Sequence, residues 1–155
     1  MIHAVTHGQK NSGPNPELTE AGKDEIASLK KHINEVKFDQ IIVATGTRFL
    51  MTLESLGFSK TEAKFSPLLG SADSGEKAES GYKGLLADGT LVDIDDYIGI
   101  IGTPGVDLWV WLQSLSGNVL LVTGREFMGG LEVDDATPST VYQINTASRE
   151  IKKIS

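Results

Sequence analysis

The chain has no cysteine, which excludes disulfides, thiolate-bound zinc and a cysteine nucleophile. Histidine is scarce, only His3, His7 and His32, so no zinc site is expected. There is no Gly-Lys-Ser/Thr phosphate loop and no Gly-x-Ser-x-Gly elbow. The longest apolar runs, at 98–101, 108–112 and 119–122, are far too short to span a bilayer. Residues 1–7 lack the basic stretch and apolar core of a signal peptide, so a cytoplasmic location is the default expectation. Positive charge is in deficit, with 14 Lys and Arg against 21 Asp and Glu and a formal net charge of -7. That balance argues against broad binding to nucleic acid or an anionic membrane, although one local basic pocket can still hold an anion.

What remains is the composition of an ordinary globular protein. The 155 residues, 39% hydrophobic and 23% charged, suit a single domain over 1–155 with a sizeable core. Residues 2–5 read as a short buried strand that runs into a Gly-, Pro-, Asn- and Ser-rich loop at 7–16. Thr19 is a suitable N-cap for a helix carrying Ile26, Leu29, Ile33 and Val36 on one face. The apolar run 41–44 predicts a second strand, followed by a helix from Arg48 to about Leu56 with Gly57 as its terminator. Residues 70–89 predict a long excursion over the sheet edge, and Gly102-Thr103-Pro104-Gly105 a turn. A short apolar helix around Leu108, Trp109, Trp111, Leu112 and Leu115 precedes a third strand at 119–122. Residues 140–154 read as an antiparallel pair turning at 145–149.

Apolar strands that end in polar loops and alternate with helices describe an α/β fold with a mostly parallel sheet between helical layers. Ligands of such sheets bind beyond the carboxyl ends of the strands. Three strand-end loops therefore draw the attention: Thr6-His7-Gly8, Thr45-Gly46-Thr47-Arg48 and Thr123-Gly124-Arg125. A neutral imidazole at His7 could act as nucleophile or base, and Gly8 beside it would let a ligand approach the backbone. The alternative is an ordinary loop histidine. Arg48, at a helix start, could offer a fork of donors to phosphate, or simply be a solvated arginine, and Arg125 has the same two readings. The acidic groups Asp93, Asp95, Asp96 and Glu132, Asp134, Asp135 lack calcium-loop spacing and read as solvated turns. Trp109 and Trp111 fall on different sides of their helix, so one belongs to the core and the other could line a pocket or an interface.

In this order the segments resemble the histidine phosphatase superfamily, also called phosphoglycerate-mutase-like. Val5-Thr6-His7-Gly8 matches its strand and Arg-His-Gly motif, and Leu18-Thr19-Glu20-Ala21-Gly22 its Leu-Thr-x-x-Gly helix start. Residues 44–52, with Arg48 and Thr52, match Ser-x-x-x-Arg-x-x-x-Thr without the serine. The strand 119–123 runs into Gly124-Arg125 where the family has His-Gly. The resemblance implies a three-layer α/β/α sandwich, a nucleophilic His7 and a phosphate pocket formed by Arg48, Gly8, Thr6 and Arg125. It implies no metal and no cofactor.

The departures matter equally. Thr6 replaces a permanently charged arginine with a hydroxyl donor, and Gly124 replaces the second histidine. Arg125 or a neighbouring lysine could restore the lost charge. The proton-donating carboxylate implied by the family falls in the poorly matched middle, where Asp73, Glu76 and Glu79 are candidates. The first functional reading is a phosphomonoesterase with weak or altered activity through a phosphohistidine at His7. The second is an inactive relative that binds a small phosphorylated or anionic ligand or a protein partner, and the third is a scaffold that kept only the fold.

Overall fold

The computed structural model describes residues 1–13, 16–70, 83–85, 91–93 and 107–155. The strands are β1 (Ile2–Thr6), β2 (Gln40–Val43), β3 (Lys64–Phe65), β4 (Lys83–Leu85), β5 (Leu91–Asp93), β6 (Val119–Thr123), β7 (Val141–Asn145) and β8 (Glu150–Lys153). They form one eight-stranded sheet in the order β5-β4-β3-β2-β6-β1-β7-β8. The run from β4 to β1 is parallel throughout, while β5, β7 and β8 add antiparallel edges. The helices are α1 (Glu20–Ser28), α2 (Thr47–Ser55), α3 (Leu108–Gln113) and α4 (Arg125–Gly130). α1 packs against α2, and α3 meets α4 through Trp111 and Phe127; with the sheet between helical layers the fold is a three-layer α/β/α sandwich.

The three central strands are apolar because both of their faces are covered. Val5, Ile42, Val43 and residues 119–122 are wholly inaccessible to solvent. Strand register then determines what meets at the top of the sheet. Thr6 lies opposite Thr123 on β6, and Val43 opposite Val122, so β1, β6 and β2 end at one level. Each of the three emphasised loops leaves from that level.

Local chemistry explains most element ends. The Thr19 hydroxyl accepts the Gly22 amide at 2.9 Å and starts α1. The helix is shorter than its apolar face predicts: from Leu29 to His32 the chain tightens into a 3-10 turn. Ile26, Leu29 and Ile33 are buried as expected, whereas Val36, beyond that turn, is half-buried. Helix α2 ends at Gly57, whose φ of 95° suits glycine alone. Asp107 caps α3 by accepting the Trp109 and Val110 amides at 3.0 and 3.2 Å. Trp111 is buried against Phe127 of α4, ring centroids 6.3 Å apart, while Trp109 is half-buried with the Arg149 guanidinium above its ring. The turn between β7 and β8 is closed by the Asn145 side chain, which accepts the Ala147 and Ser148 amides.

Three further strands carry no signal in the sequence. β3 is two residues long, too short to carry a period, and β4 and β5 fall in the Gly- and charge-rich stretch. That excursion is in part the edge of the sheet itself. Asp73, Glu76, Glu79, Asp95, Asp96 and the turn at 102–105 lie outside the described residues. No helix among the described residues is long and apolar enough to cross a membrane.

Candidate functional site

Beyond the carboxyl ends of β1, β2 and β6 lies a cavity of about 200 Å³, lined by His7, Lys10, Arg48, Phe49, Leu69, Gly70, Gly124, Arg125 and Glu126. Of the residues singled out in the sequence, His7, Arg48 and Arg125 converge here. Lys10 and Glu126 join them without a signal in the sequence. Lys10 sits in the irregular loop after β1, where an isolated bridge to Leu18 ties the loop back on itself. Neither periodicity nor motif marks such a residue.

His7 is held on several sides. Its amide donates to the Thr123 carbonyl at 2.9 Å, which continues the β1–β6 ladder past the strand end. Its ring Nδ1 lies 2.8 Å from the Gly8 carbonyl oxygen. A carbonyl can only accept, so Nδ1 carries the proton and Nε2 keeps its lone pair. The ring meets Phe49 edge to face, centroids 5.3 Å apart with planes at 87°. Burial drives the imidazole pKa down from 6.5 to about 4; the Gly8 hydrogen bond opposes this, while Arg48, Lys10 and Arg125 push it further down. His7 is therefore neutral at physiological pH, a requirement for a nitrogen nucleophile.

Arg48 stands in the first turn of α2, its guanidinium carbon 4.4 Å from the centre of the Phe49 ring. One turn on, the fully buried Thr52 ties this helix to the loop after β1. Its hydroxyl donates to the Arg48 carbonyl at 2.8 Å and accepts the Gly8 amide at 3.2 Å. The Arg-x-x-x-Thr spacing thus puts Arg48 at the cavity and a connector to the histidine loop on one helix. The far wall is fixed by the Thr123 hydroxyl, which donates to the Leu69 carbonyl at 2.6 Å, and by the Thr45 amide, which donates to Gly70 at 3.0 Å.

Two of the expected phosphate contacts are placed differently. Gly8 does not line the cavity: its amide goes to Thr52, and its lack of a side chain serves packing. A Cβ on Gly8 would stand 2.8 Å from the Gly22 carbonyl oxygen and 3.0 Å from Ile26. Gly22 is equally tight, since a Cβ there would collide with the carbonyl oxygen of Gln9 and lie 2.9 Å from its nitrogen. The His-Gly and Leu-Thr-x-x-Gly motifs are thus two sides of one backbone contact, which Gly8 serves. Thr6 also lies off the cavity. It is fully buried, its hydroxyl donating to the Thr137 carbonyl at 2.7 Å and accepting the Thr140 amide at 3.0 Å. With those bonds made, it is not available as a phosphate donor.

Gly124 lines the cavity directly over His7. A Cβ on it would be 3.4 Å from the His7 ring and 3.5 Å from Phe49, close to ordinary contact. Glu126 brings a carboxylate to the same wall. Among the described residues no three His, Asp or Glu side chains gather in a way that could hold a metal ion.

No family model matches this sequence, and no curated protein resembles it at a significant level. Solved structures do. The protein histidine phosphatase SixA complexed with tungstate superposes with a TM-score of 0.59 at 16% identity, over 99% of this chain and 94% of that one. TTHB049 from Thermus thermophilus gives 0.59 at 16% identity, over 99% and 98%. A structure described as a putative phosphohistidine phosphatase SixA from Nakamurella multipartitia gives 0.53 at 12% identity, over 91% and 81%. The chain has the fold of these proteins, as the order of its strand-end motifs implied.

Proposed function

We propose that the protein is a phosphomonoesterase of altered pocket chemistry that works through a phosphohistidine at His7. The observation that carries this reading is the neutral His7 ring, its Nδ1–H committed to the Gly8 carbonyl, beside a small cavity that also holds Arg48, Lys10 and Arg125. The Nε2 lone pair attacks phosphorus, the ester P–O bond breaks, and the leaving oxygen takes up a proton. Water then attacks phosphorus, the P–N bond breaks, and Nε2 recovers its lone pair as inorganic phosphate leaves. Phosphoryl transfer needs mainly alignment and compensation of charge on the equatorial oxygens. Arg48 offers a planar fork for them, and Lys10 and Arg125 restore the positive charge that an arginine at position 6 would have supplied. Tungstate, a tetrahedral oxyanion like phosphate, occupies the SixA structure of the same fold, which supports an anionic ligand for this cavity.

The test is hydrolysis of an aryl phosphate by wild type and His7→Ala. Turnover lost in the variant supports the reading; equal rates would sink it. The second reading, a binder of phosphorylated or anionic ligands, is favoured by Gly124, where the resemblance implies a second histidine. It predicts that millimolar phosphate raises the melting temperature, that Arg48→Ala loses the effect, and that no turnover accompanies it.

A further inference from the structure

The loop that precedes β7 is bonded to the residues on either side of the His7 main chain. The Thr6 amide donates to Thr140, the Thr6 hydroxyl donates to Thr137 and accepts from Thr140, and the Ser139 amide donates to the His7 carbonyl at 3.0 Å. Ser139 does this at some cost to itself. Its φ is 52°, in the left-handed region that a non-glycine residue seldom adopts, and its hydroxyl is buried with no hydrogen-bond partner among the described residues. Such strain persists where the surrounding bonds over-determine it. Here the strained conformation aims the Ser139 N–H at His7.

The consequence concerns one peptide plane. The His7–Gly8 peptide has its carbonyl held by Ser139 and its N–H held by Thr52. The next carbonyl, that of Gly8, accepts the His7 ring proton. The Gly8 carbonyl belongs to the following peptide, so the fixed His7–Gly8 plane acts on the ring one step removed, by anchoring the backbone on which Gly8 presents that carbonyl. Thr6 is the side chain that binds the 137–140 loop from the strand side.

We propose that Thr6 is a positioning residue for His7: its hydroxyl locks the 137–140 loop so that Ser139 fixes the His7–Gly8 peptide and keeps the ring Nδ1-protonated with Nε2 free. The proposal rests on the reading of His7 as the nucleophile. Position 6 has thus exchanged a pocket charge for control of the nucleophile's geometry.

The test compares Thr6→Val, nearly isosteric without the hydroxyl, with Thr6→Ser, which restores it. Two readouts are taken: kcat and KM on an aryl phosphate, and the His7 tautomer from ¹⁵N chemical shifts of the imidazole. In Thr6→Val, kcat falls about tenfold or more, since misaligned nucleophiles lose rate steeply. KM changes less than twofold, the ring becomes a mixture of tautomers, and Thr6→Ser recovers both. A Thr6→Val protein with wild-type kcat and an intact Nδ1–H tautomer, merely melting lower, overturns the proposal. If wild type shows no turnover, the phosphatase reading fails while the tautomer shift still decides the role of Thr6. Should Thr6→Val not fold, Thr140→Val removes the hydroxyl that bonds Thr137 and Pro138 in the same loop. A smaller change of the same kind is expected there, and no change in tautomer counts against the proposal.

Discussion

The Nδ1 of His7 and the carbonyl oxygen of Gly8, 2.8 Å apart, make the nucleophile's backbone neighbour its orienting group. Many catalytic histidines are oriented by a carboxylate, whose charge raises the imidazole pKa. A neutral carbonyl does this only weakly, and burial among cations takes the value to about 4. The acid limb of kcat/KM is therefore expected near pH 4 rather than 6.5, read by a pH–rate profile on an aryl phosphate. The same shift has a stability consequence. Because the folded pKa is below the unfolded one, the unfolded chain binds more protons between these values, and stability falls as pH drops from 6.5 to about 4. The full loss is on the order of 3 kcal/mol, and His7→Asn is expected to flatten that part of the stability profile in urea melts. Buried His3, also shifted downward by desolvation, acts in the same direction and sustains part of the slope in the variant.

The charges around the cavity predict opposite effects on anion affinity. Arg48→Ala is expected to weaken phosphate or vanadate binding most, by about 2 kcal/mol, because it removes a fork of charge-assisted donors. Lys10→Ala and Arg125→Ala, both on exposed residues, are expected to weaken it less and to reduce its salt dependence. Glu126→Gln removes the carboxylate from the cavity wall and is expected to tighten it. Calorimetry at two ionic strengths reads all four variants.

The contact between Gly8 and Gly22 predicts stability effects with no direct role in chemistry. Gly22→Ala forces a Cβ into the Gln9 backbone, which has no flexible end to move aside. A destabilisation of about 1–3 kcal/mol is expected, within the range for overpacking and despite the helix preference for alanine. Gly129→Ala serves as the comparison, since a Cβ there meets nothing within 4 Å. Chemical denaturation of the two variants should separate them clearly.

Gly124→His places an imidazole over His7 and Phe49 with a Cβ that needs only a few tenths of an ångström of adjustment. The variant is expected to fold. On the phosphatase reading it gains rate, up to about a hundredfold, the usual scale for one transition-state donor. Steady-state kinetics on the same aryl phosphate measures it. An unchanged or lower rate would mean that the present pocket already supplies what that histidine would.

How far the sequence could be read depended on how local each feature is. Apolar runs and capping residues are local, so β1, β2, β6, the Thr19 cap, the Gly57 terminator and the closing hairpin were all legible before the structure. His7 and Arg48 were legible because strand ends and motif spacing mark them. The contacts of Thr6 and Gly8 were not, since those depend on partners far along the chain, Thr137 and Thr140 for the first and Gly22 for the second. Lys10 reaches the cavity only through the fold of its loop, and Glu126 only through the placement of α4 beyond the end of β6. A two-residue strand such as β3 leaves no periodicity to detect.

The central claim is that a phosphoryl group rides on His7. Brief mixing with a labelled aryl phosphate, acid-free quenching and intact-mass analysis tests it directly. The account predicts one added phosphoryl group on the wild-type chain, stable to base, labile to acid, and absent from His7→Ala. No adduct on wild type during turnover, or the same adduct on His7→Ala, would contradict it.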